Sequence, residues 1–533
     1  MLKRHLTVIV IYYSDRFQAE LDSWTRATMR KFHQQPLGRR TFIVGASKSA
    51  IAIGLAPILQ ACSDSSNKHL LQTGASSYGP LSPVADSTTG LSLLKLPEGF
   101  TYTSIGWTGD SMSDGTLTPD RHDGMAVVSG RGGVSGECVL IRNHERSVVG
   151  PGLPQPVVGG GIAPVYDGLS IPGVLAGLGG GTTALKVRGG QLIEDRATLG
   201  GTIANCAGGP TPWGSWLTCE ETMTLASIIG ARDHGFVFEV PDPALGPASA
   251  VPITDMGLMP HEAVAVDARD SRVYLTEDNN PLSGFYRYTP DDNSQQVGAL
   301  ERGGALEMLA VAGRAGVDLG QAAQGDVYDV RWVPVPNPVA PPETLIAPIE
   351  GFPPIQGAGR SGPFMQGRAN GGASFRRGEG CWYQDGVVYF VDTAGGNAGK
   401  GAVWAYIPGE ETLTALFVSP DAATADNPDN ITVTPQTALL VCEDGGGISE
   451  NGALVTGTRM LGIAQDGSSF VFAENNMVLD AALPGRPSIP AADYRGSEWA
   501  GACFDPSGEY LYVNIQTPGV TFAITGPWKR GPL

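Results

Sequence analysis

Histidine is scarce in this chain of 533 residues: there are 7, and only His122, His144, His234 and His261 fall in sequence patterned for a folded core. That counts against a zinc hydrolase built on the usual histidine ligands. Basic residues are also few, 35 Lys and Arg against 53 Asp and Glu, for a formal net charge of -18. Such a balance excludes nucleic acid and anionic lipid as binding surfaces, because both require basic patches, and it suits multivalent cations. For most of these carboxylates the charge simply keeps an exported chain soluble. A G-x-S-x-G elbow is missing, so a nucleophilic serine is not expected. Gly179-Gly180-Gly181-Thr182-Thr183 lacks the Lys and the strand-loop-helix setting of a phosphate loop and reads as a turn. The 7 cysteines form no compact disulfide framework. Helical periodicity of useful length is absent beyond the N-terminal segment.

That segment carries Gly38-Arg39-Arg40-Thr41-Phe42 and then an apolar run over residues 43–59. Paired arginines before a modestly hydrophobic run match a twin-arginine export signal, and the run is too short and too rich in Gly, Ala and Ser for a spanning helix. Leu59-Gln60-Ala61-Cys62 resembles a lipobox, making Cys62 the candidate lipid anchor and the single expected link to a membrane. The long leader suggests translation from Met29. Residues 1–62 therefore read as signal, 63–95 as a flexible Ser-, Gly- and Pro-rich tether, and 96–533 as the working domain. The expected location is the periplasm or cell surface, and the expected state is a monomer.

Gly 74 and Pro 40 with 42% hydrophobic residues describe a turn-rich all-β protein that still has a core. Short β-type runs alternate with Gly, Asp and Asn turns almost to the end. RVYLTED with GFYRYTP, and GVVYFVDT with AVWAYIP, read as hairpins. AVAVDARDSRVYLTED and GACFDPSGEYLYVNIQ share one grammar: a strand, an Asp-bearing turn, and a second strand ending in an acid or amide. Recurring phrases of this kind predict a single β-propeller of roughly six blades, with a β-sandwich pair as the alternative. Loop insertions are expected at 151–200 and 295–370.

The acids gather at strand ends: Asn143-His144-Glu145, Cys219-Glu220-Glu221, His261-Glu262, Glu277-Asp278-Asn279, Arg377-Gly378-Glu379-Gly380, Asp426-Asn427-Pro428-Asp429-Asn430, Glu443-Asp444 and Ser497-Glu498-Trp499. Propeller closure would bring such ends to one axis, where carboxylates repel unless cations offset them. Oxygen ligands at this density favour calcium, and hard trivalent iron also accepts them. The densest stretch is residues 205–221, NCAGGPTPWGSWLTCEE. It offers a soft ligand at Cys206 and hard ones at Glu220 and Glu221. A Cys206–Cys219 disulfide is the competing reading, and the strand-end context favours the ligand one. Arg376-Arg377 beside Glu379 supplies a guanidinium suited to an oxyanion such as phosphate.

HDGMA, LIRNHE, GGTTAL, NCAGGPTPWGSWLTCEE, PHEAV, RGEG, DNPDN and EWAGACFDPSGEYLYVNIQTPGVTFAITGPW together resemble the PhoX-type alkaline phosphatases, over nearly everything after the tether. The resemblance implies a six-bladed propeller with a mixed iron and calcium cluster, hydrolysing small phosphate monoesters outside the cytoplasm. It implies Cys206, Glu262 and Glu379 as iron ligands. It makes Glu145, Glu220, Glu221, Asp278, Asp426, Glu443 and Glu498 candidates for calcium or bridging positions, with Arg377 binding the substrate phosphate. Hydrolysis would proceed by metal-activated water, hydroxide or oxo attack, with Arg377 and Glu379 the catalytic pair. A calcium-dependent lactonase-like propeller would need neither Cys206 nor Arg377, and a non-catalytic surface lipoprotein would not need the axial acids.

Overall fold

The computed structural model describes residues 78–129, 136–149, 163–170, 176–225, 231–346, 356–464 and 467–533. The twin-arginine motif, Met29, the Cys62 lipobox and the first part of the tether lie outside the described residues.

Alternating apolar and polar residues bounded by glycine and Asx turns fold here as antiparallel strands. Both predicted hairpins form: Val273–Glu277 pairs with Phe285–Pro290, and Val387–Asp392 with Ala402–Ile407. The sheets are arranged as in a propeller. Six short strands line the axis: His122–Val127, Asn205–Pro210, His261–Val266, Gly378–Gln384, Pro428–Val433 and Trp499–Phe504. Each packs beside the next, and Trp499–Phe504 returns beside His122–Val127. Outward from each runs an antiparallel meander, such as His122–Val127, Glu137–His144, Gly180–Arg188 and Gln191–Thr202.

Close approach at the axis demands small side chains. A Cβ on Gly124 would lie 2.5 Å from the Cα of Ala207 on the neighbouring strand, and one on Gly209 would overlap the Val264 carbonyl. What remains there is a cavity of about 20 Å³, lined from all six strands by Met125, Ala207, Ala263, Gly380, Asn430 and Gly501. That volume holds about one water, so the axis is plugged by backbone and small residues. Between the sheets lie aromatic cores, one built on Phe285 stacked against Phe390 at 4.1 Å, with Trp404 and Tyr406 beside them. Each such side chain contributes roughly 2 to 3 kcal/mol by burial.

Early and late strands of the described residues are knitted together in two sheets. Thr101–Ile105 pairs with Val520–Thr525, joining early and late sequence in one sheet. The expected tether over 63–95 ends sooner than its composition implies. Leu81–Val84 pairs with Leu94–Pro97, which extends onto Ser469–Asn475, and Tyr78 is buried with Phe100 and Phe472. Three or four well-placed apolar residues outweigh the Ser and Pro content there. The expected insertions also shrink. Gly180–Arg188 and Gln191–Thr202 are sheet strands, as are Gly304–Val311 and Val327–Pro334. One α-helix has no counterpart in the helical periodicity of the sequence: Gly362–Ala369, opened by Ser361 accepting from the Phe364 N–H and by a proline in its first turn. No helix among the described residues is long and apolar enough to cross a membrane.

Candidate metal centre

One local unit recurs six times among the described residues, and it explains how side chains reach the axis. In each unit an inner strand pairs with the next strand, and the register slips within the first few residues. The slips fall between His122 and Met125, Asn205 and Gly208, His261 and Val264, Gly378 and Cys381, Pro428 and Ile431, and Ala500 and Cys503. A bulge re-aims a side chain. The residue concerned is the second of the strand: Asp123, Cys206, Glu262, Glu379 and Asp429 lie within the slip, and Ala500 of the sixth unit stands just before it, opposite Asn514. Five of the six are ligand types. The unit closes with a backbone bond from the residue after the second strand to the residue before the first. Glu145 N donates to Arg121 O, Glu221 to Ala204, Asp278 to Pro260, Thr393 to Arg377, Asp444 to Asn427, and Gln516 to Glu498, at 2.9 to 3.2 Å. Stacked over the re-aimed residues is therefore a second ring, Glu145, Glu221, Asp278, Thr393, Asp444 and Gln516.

Three groups of donor atoms within this arrangement each lie inside 4.8 Å of one another: Cys206, Glu221 and Glu262; Glu262, Glu379 and Asp429; Asp429, Asp444 and Glu498. They share Glu262 and Asp429, so they form one continuous band. It runs from fully buried Glu262 and Glu379 to exposed Asp444. Asp123 joins it through Gln516, whose Nε2 donates to Asp123 (3.2 Å), to Glu145 (2.8 Å) and to Glu498.

Burial combined with neighbouring carboxylates pushes the acids toward their neutral forms. Asp123, Glu221, Glu262, Glu379 and Glu498 are held well above the usual carboxylate range, Asp429 is raised to about 7, and the Cys206 thiol is also pushed up. Both Glu262 oxygens are buried without a hydrogen-bond partner among the described residues. An orphaned carboxylate at the junction of two ligand groups is what cations would satisfy. The donors fit: a thiolate with carboxylates at one end suits a transition metal, and oxygen donors alone at the other suit calcium.

Arg377 sits beside the band in a left-handed conformation, φ 63°. Its Nε and Nη2 grip Asp278 at 2.6 to 3.2 Å, and Nη2 reaches Glu379 at 3.1 Å. This leaves Nη1 for an anion, with about a third of the side chain exposed.

Of the expected metal residues, the structure brings Cys206, Glu221, Glu262, Glu379 and Glu498 together. Glu145 and Asp278 lie beside them, engaged with Gln516 and Arg377. Three expectations are corrected. Glu220 lies within the ladder opposite Asn205 and faces away. Its carboxylate accepts from the Ile203, Gly235 and Phe236 N–H groups and meets His234 Nδ1 at 2.6 Å. Glu443 lies opposite Pro428 and is saturated by Arg459 at 2.6 to 2.9 Å and by Asp426 N. Asp426 is spent on Lys400 Nζ at 2.5 Å. Asp123, Asp429 and Asp444 occupy the corresponding ring places. They stand in HDGMA, DNPDN and Glu443-Asp444, and their repeated position after each strand start or strand end is the signal that identifies them. The histidines serve elsewhere: His122 and His261 pair with the Pro119 and Gly257 carbonyls, and His144 with the Asp120 carbonyl and Thr183. Cys206 and Cys219 are both free thiols, so the disulfide alternative falls.

The sequence model of the family described as alkaline phosphatase PhoX matches residues 76–151 and 171–519. Among solved structures, PhoX from Pseudomonas fluorescens, in complex with vanadate as a transition state analogue, superposes with a TM-score of 0.55 at 17% identity. It covers 85% of this chain and 99% of that one. At that identity the likeness speaks for a shared fold. A gluconolactonase from Xanthomonas campestris gives 0.35 at 10% identity over 84% and 98%. The pyranose dehydrogenase PQQ domain from Coprinopsis cinerea gives 0.30 at 10% over 83% and 98%. No curated protein matches the sequence.

Proposed function

This chain belongs to the alkaline phosphatase PhoX family and is a phosphatase of that type, and we propose that it hydrolyses small phosphate monoesters at an iron and calcium cluster held in the acid band. The observation that carries the metal assignment is Glu262, fully buried with both oxygens unpaired and shared between two ligand groups. Iron is assigned to the thiolate end, with Cys206, Glu221, Glu262 and Glu379, and calcium to the open end, with Asp429, Asp444, Glu498 and Asp123. The six-fold recurrence of the strand unit supports a count of six blades.

Cations held by these residues would supply charge for the phosphoryl oxygens and would lower the pKa of an attacking water. The protein's own part is positioning. Arg377 offers Nη1 to a phosphoryl oxygen from a guanidinium fixed by Asp278, and a single preorganised donor of this kind is worth roughly 10² to 10³ in rate. Asp278 holds that planar guanidinium aimed. Glu379, touching Arg377 and the ligand groups at once, couples the phosphate seat to the cluster. Gln516 spaces Asp123, Glu145 and Glu498 by donating to all three. Because the axis below is plugged, substrate approaches and product leaves from the Asp444 side.

Export by the twin-arginine route, a periplasmic or cell-surface location and an optional anchor at Cys62 rest on the N-terminal sequence alone, and a monomeric state completes the proposal. Purified protein assayed on p-nitrophenyl phosphate with and without chelator, alongside metal analysis, tests it. Turnover lost on chelation and restored by iron with calcium is expected. Calcium without iron and no turnover would sink the phosphatase mechanism in favour of a lactonase-like one.

A further inference from the structure

Arg377 has a counterpart that the family match does not assign. In the six-fold unit, the seat before the inner strand is taken by Arg121, Ala204, Pro260, Arg377, Asn427 and Glu498. Only two of these are basic, and they stand three units apart, on opposite sides of the ring. Arg121 repeats the local geometry of Arg377. It too is left-handed, φ 54° against 63°. Its carbonyl accepts from the residue that follows the second strand, as that of Arg377 does. Its guanidinium also reaches back to the second-ring residue of the preceding unit. For Arg377 that residue is Asp278, and for Arg121 it is Gln516, with Arg121 Nη1 donating to Gln516 Oε1 at 2.6 Å.

The difference lies in charge. Arg377 is clamped by one carboxylate and touched by another, which fixes it and offsets its charge. Arg121 has a neutral amide partner, and the nearest carboxylate oxygen, from Glu145, stands at 3.7 Å. Half of the Arg121 side chain is exposed, against about a third of Arg377. Both arginines hold a strained left-handed backbone, and Arg121 is held there by a single charge-assisted bond to the buried Gln516 amide where Arg377 has a carboxylate clamp. The site thus has a fixed guanidinium on one rim and a less compensated, more exposed one on the other.

We propose that Arg121 is a specificity-determining residue that binds a second anionic group, phosphate or carboxylate, on the leaving-group side of the substrate while Arg377 holds the scissile phosphoryl group. This deepens the phosphatase reading and rests on it. It assigns the preferred substrates to organic phosphates carrying another anion, over esters of similar size that carry the scissile phosphate alone.

Matched pairs test this: 3-phosphoglycerate against glycerol 3-phosphate for a carboxylate, and fructose 1,6-bisphosphate against fructose 6-phosphate for a phosphate. Arg121→Gly keeps the left-handed backbone while removing the charge. In the metal-loaded enzyme it is expected to raise KM for the doubly anionic member of a pair about fivefold more than for its partner, with kcat moved equally for both, a size set by a half-exposed ion pair. Arg121→Lys should restore most of the discrimination. A response confined to one pair would identify the second group as carboxylate or as phosphate. Equal changes in KM for both members of both pairs would reduce Arg121 to a strut for Gln516 and overturn the proposal. Failure of the unsubstituted enzyme to turn over p-nitrophenyl phosphate would sink the phosphatase reading, and this one with it.

Discussion

Three of the six second strands end in adjacent acids, and the two acids of each pair meet opposite fates. Glu220, Glu277 and Glu443 lie inside the ladder, opposite Asn205, His261 and Pro428, and their carboxylates cap backbone N–H groups and buried side chains. Their immediate successors, Glu221, Asp278 and Asp444, lie one residue beyond the strand and turn to the axis. The same pattern repeats where the partner is not acidic, with His144 before Glu145 and Ile515 before Gln516. Position relative to the strand end separates frame from centre, because the last ladder residue is held by its partner strand and the next one is released to turn. Residue type does not.

The sharpest way to break that division is to neutralise one member of each class. Glu379→Gln removes a ligand that also touches Arg377, and kcat on p-nitrophenyl phosphate is expected to fall about 10³-fold with metal content reduced. Retained turnover would take Glu379 out of the centre. Glu220→Gln should act on the frame instead. It leaves three N–H groups and His234 with a weaker acceptor, and stability should fall by roughly 3 kcal/mol in urea unfolding. The folded fraction should keep its kcat. Lost activity at unchanged stability would put Glu220 back among the ligands.

Much of this division is legible in the amino-acid sequence. The all-β class, the hairpins and the band of strand-end acids follow from alternation, turn chemistry and spacing, and Cys206 stands out as the soft ligand among them. The strand-end rule does not follow, because Glu220-Glu221 and Glu443-Asp444 look alike until the bulge and the strand end are located. Asp123 is hidden for a related reason: HDGMA reads as a strand start, and only the slip between His122 and Met125 shows that its second residue is swung to the axis. The ordered strands at Leu81–Val84 and Leu94–Pro97 are masked by the composition of a short segment whose pairing partner, Ser469–Asn475, comes only near the other end of the chain.

A milder test of the comparison uses pH. In the centre, folding raises the acids, Asp429 to about 7, so the metal-free folded state holds more protons than the unfolded chain. Stability from these groups is fully present below the unfolded carboxylate pKa, about 4, and is lost as pH rises through the folded values. Chelated protein should therefore melt lower at pH 8 than at pH 5, by about 5 °C. Metal-loaded protein should show the opposite trend, since cations and protons compete for the same oxygens. Parallel melting profiles with and without chelator would mean that the raised acids are frame and not centre.

The finest distinction is between the two cysteines of residues 205–221. Cys206 is re-aimed by the slip between Asn205 and Gly208 and faces Glu221 and Glu262. Cys219 lies in the ladder opposite Val237, fully buried among Leu217, Val237 and Met259. Cys219 is frame because it lies inside the ladder and packs into an inter-sheet core, although it stands two residues from Glu221. Cys219→Ala should cost only about 1 kcal/mol, the loss of one small buried group, with metal content and kcat retained. Cys206→Ala in the same background should lower iron content with little loss of stability in the chelated protein, since removing a thiol from a crowd of carboxylates sacrifices few packing contacts. If Cys219→Ala instead depleted iron, the second cysteine would belong to the centre, and the division at the strand end would fail at the stretch where the ligand types are most crowded.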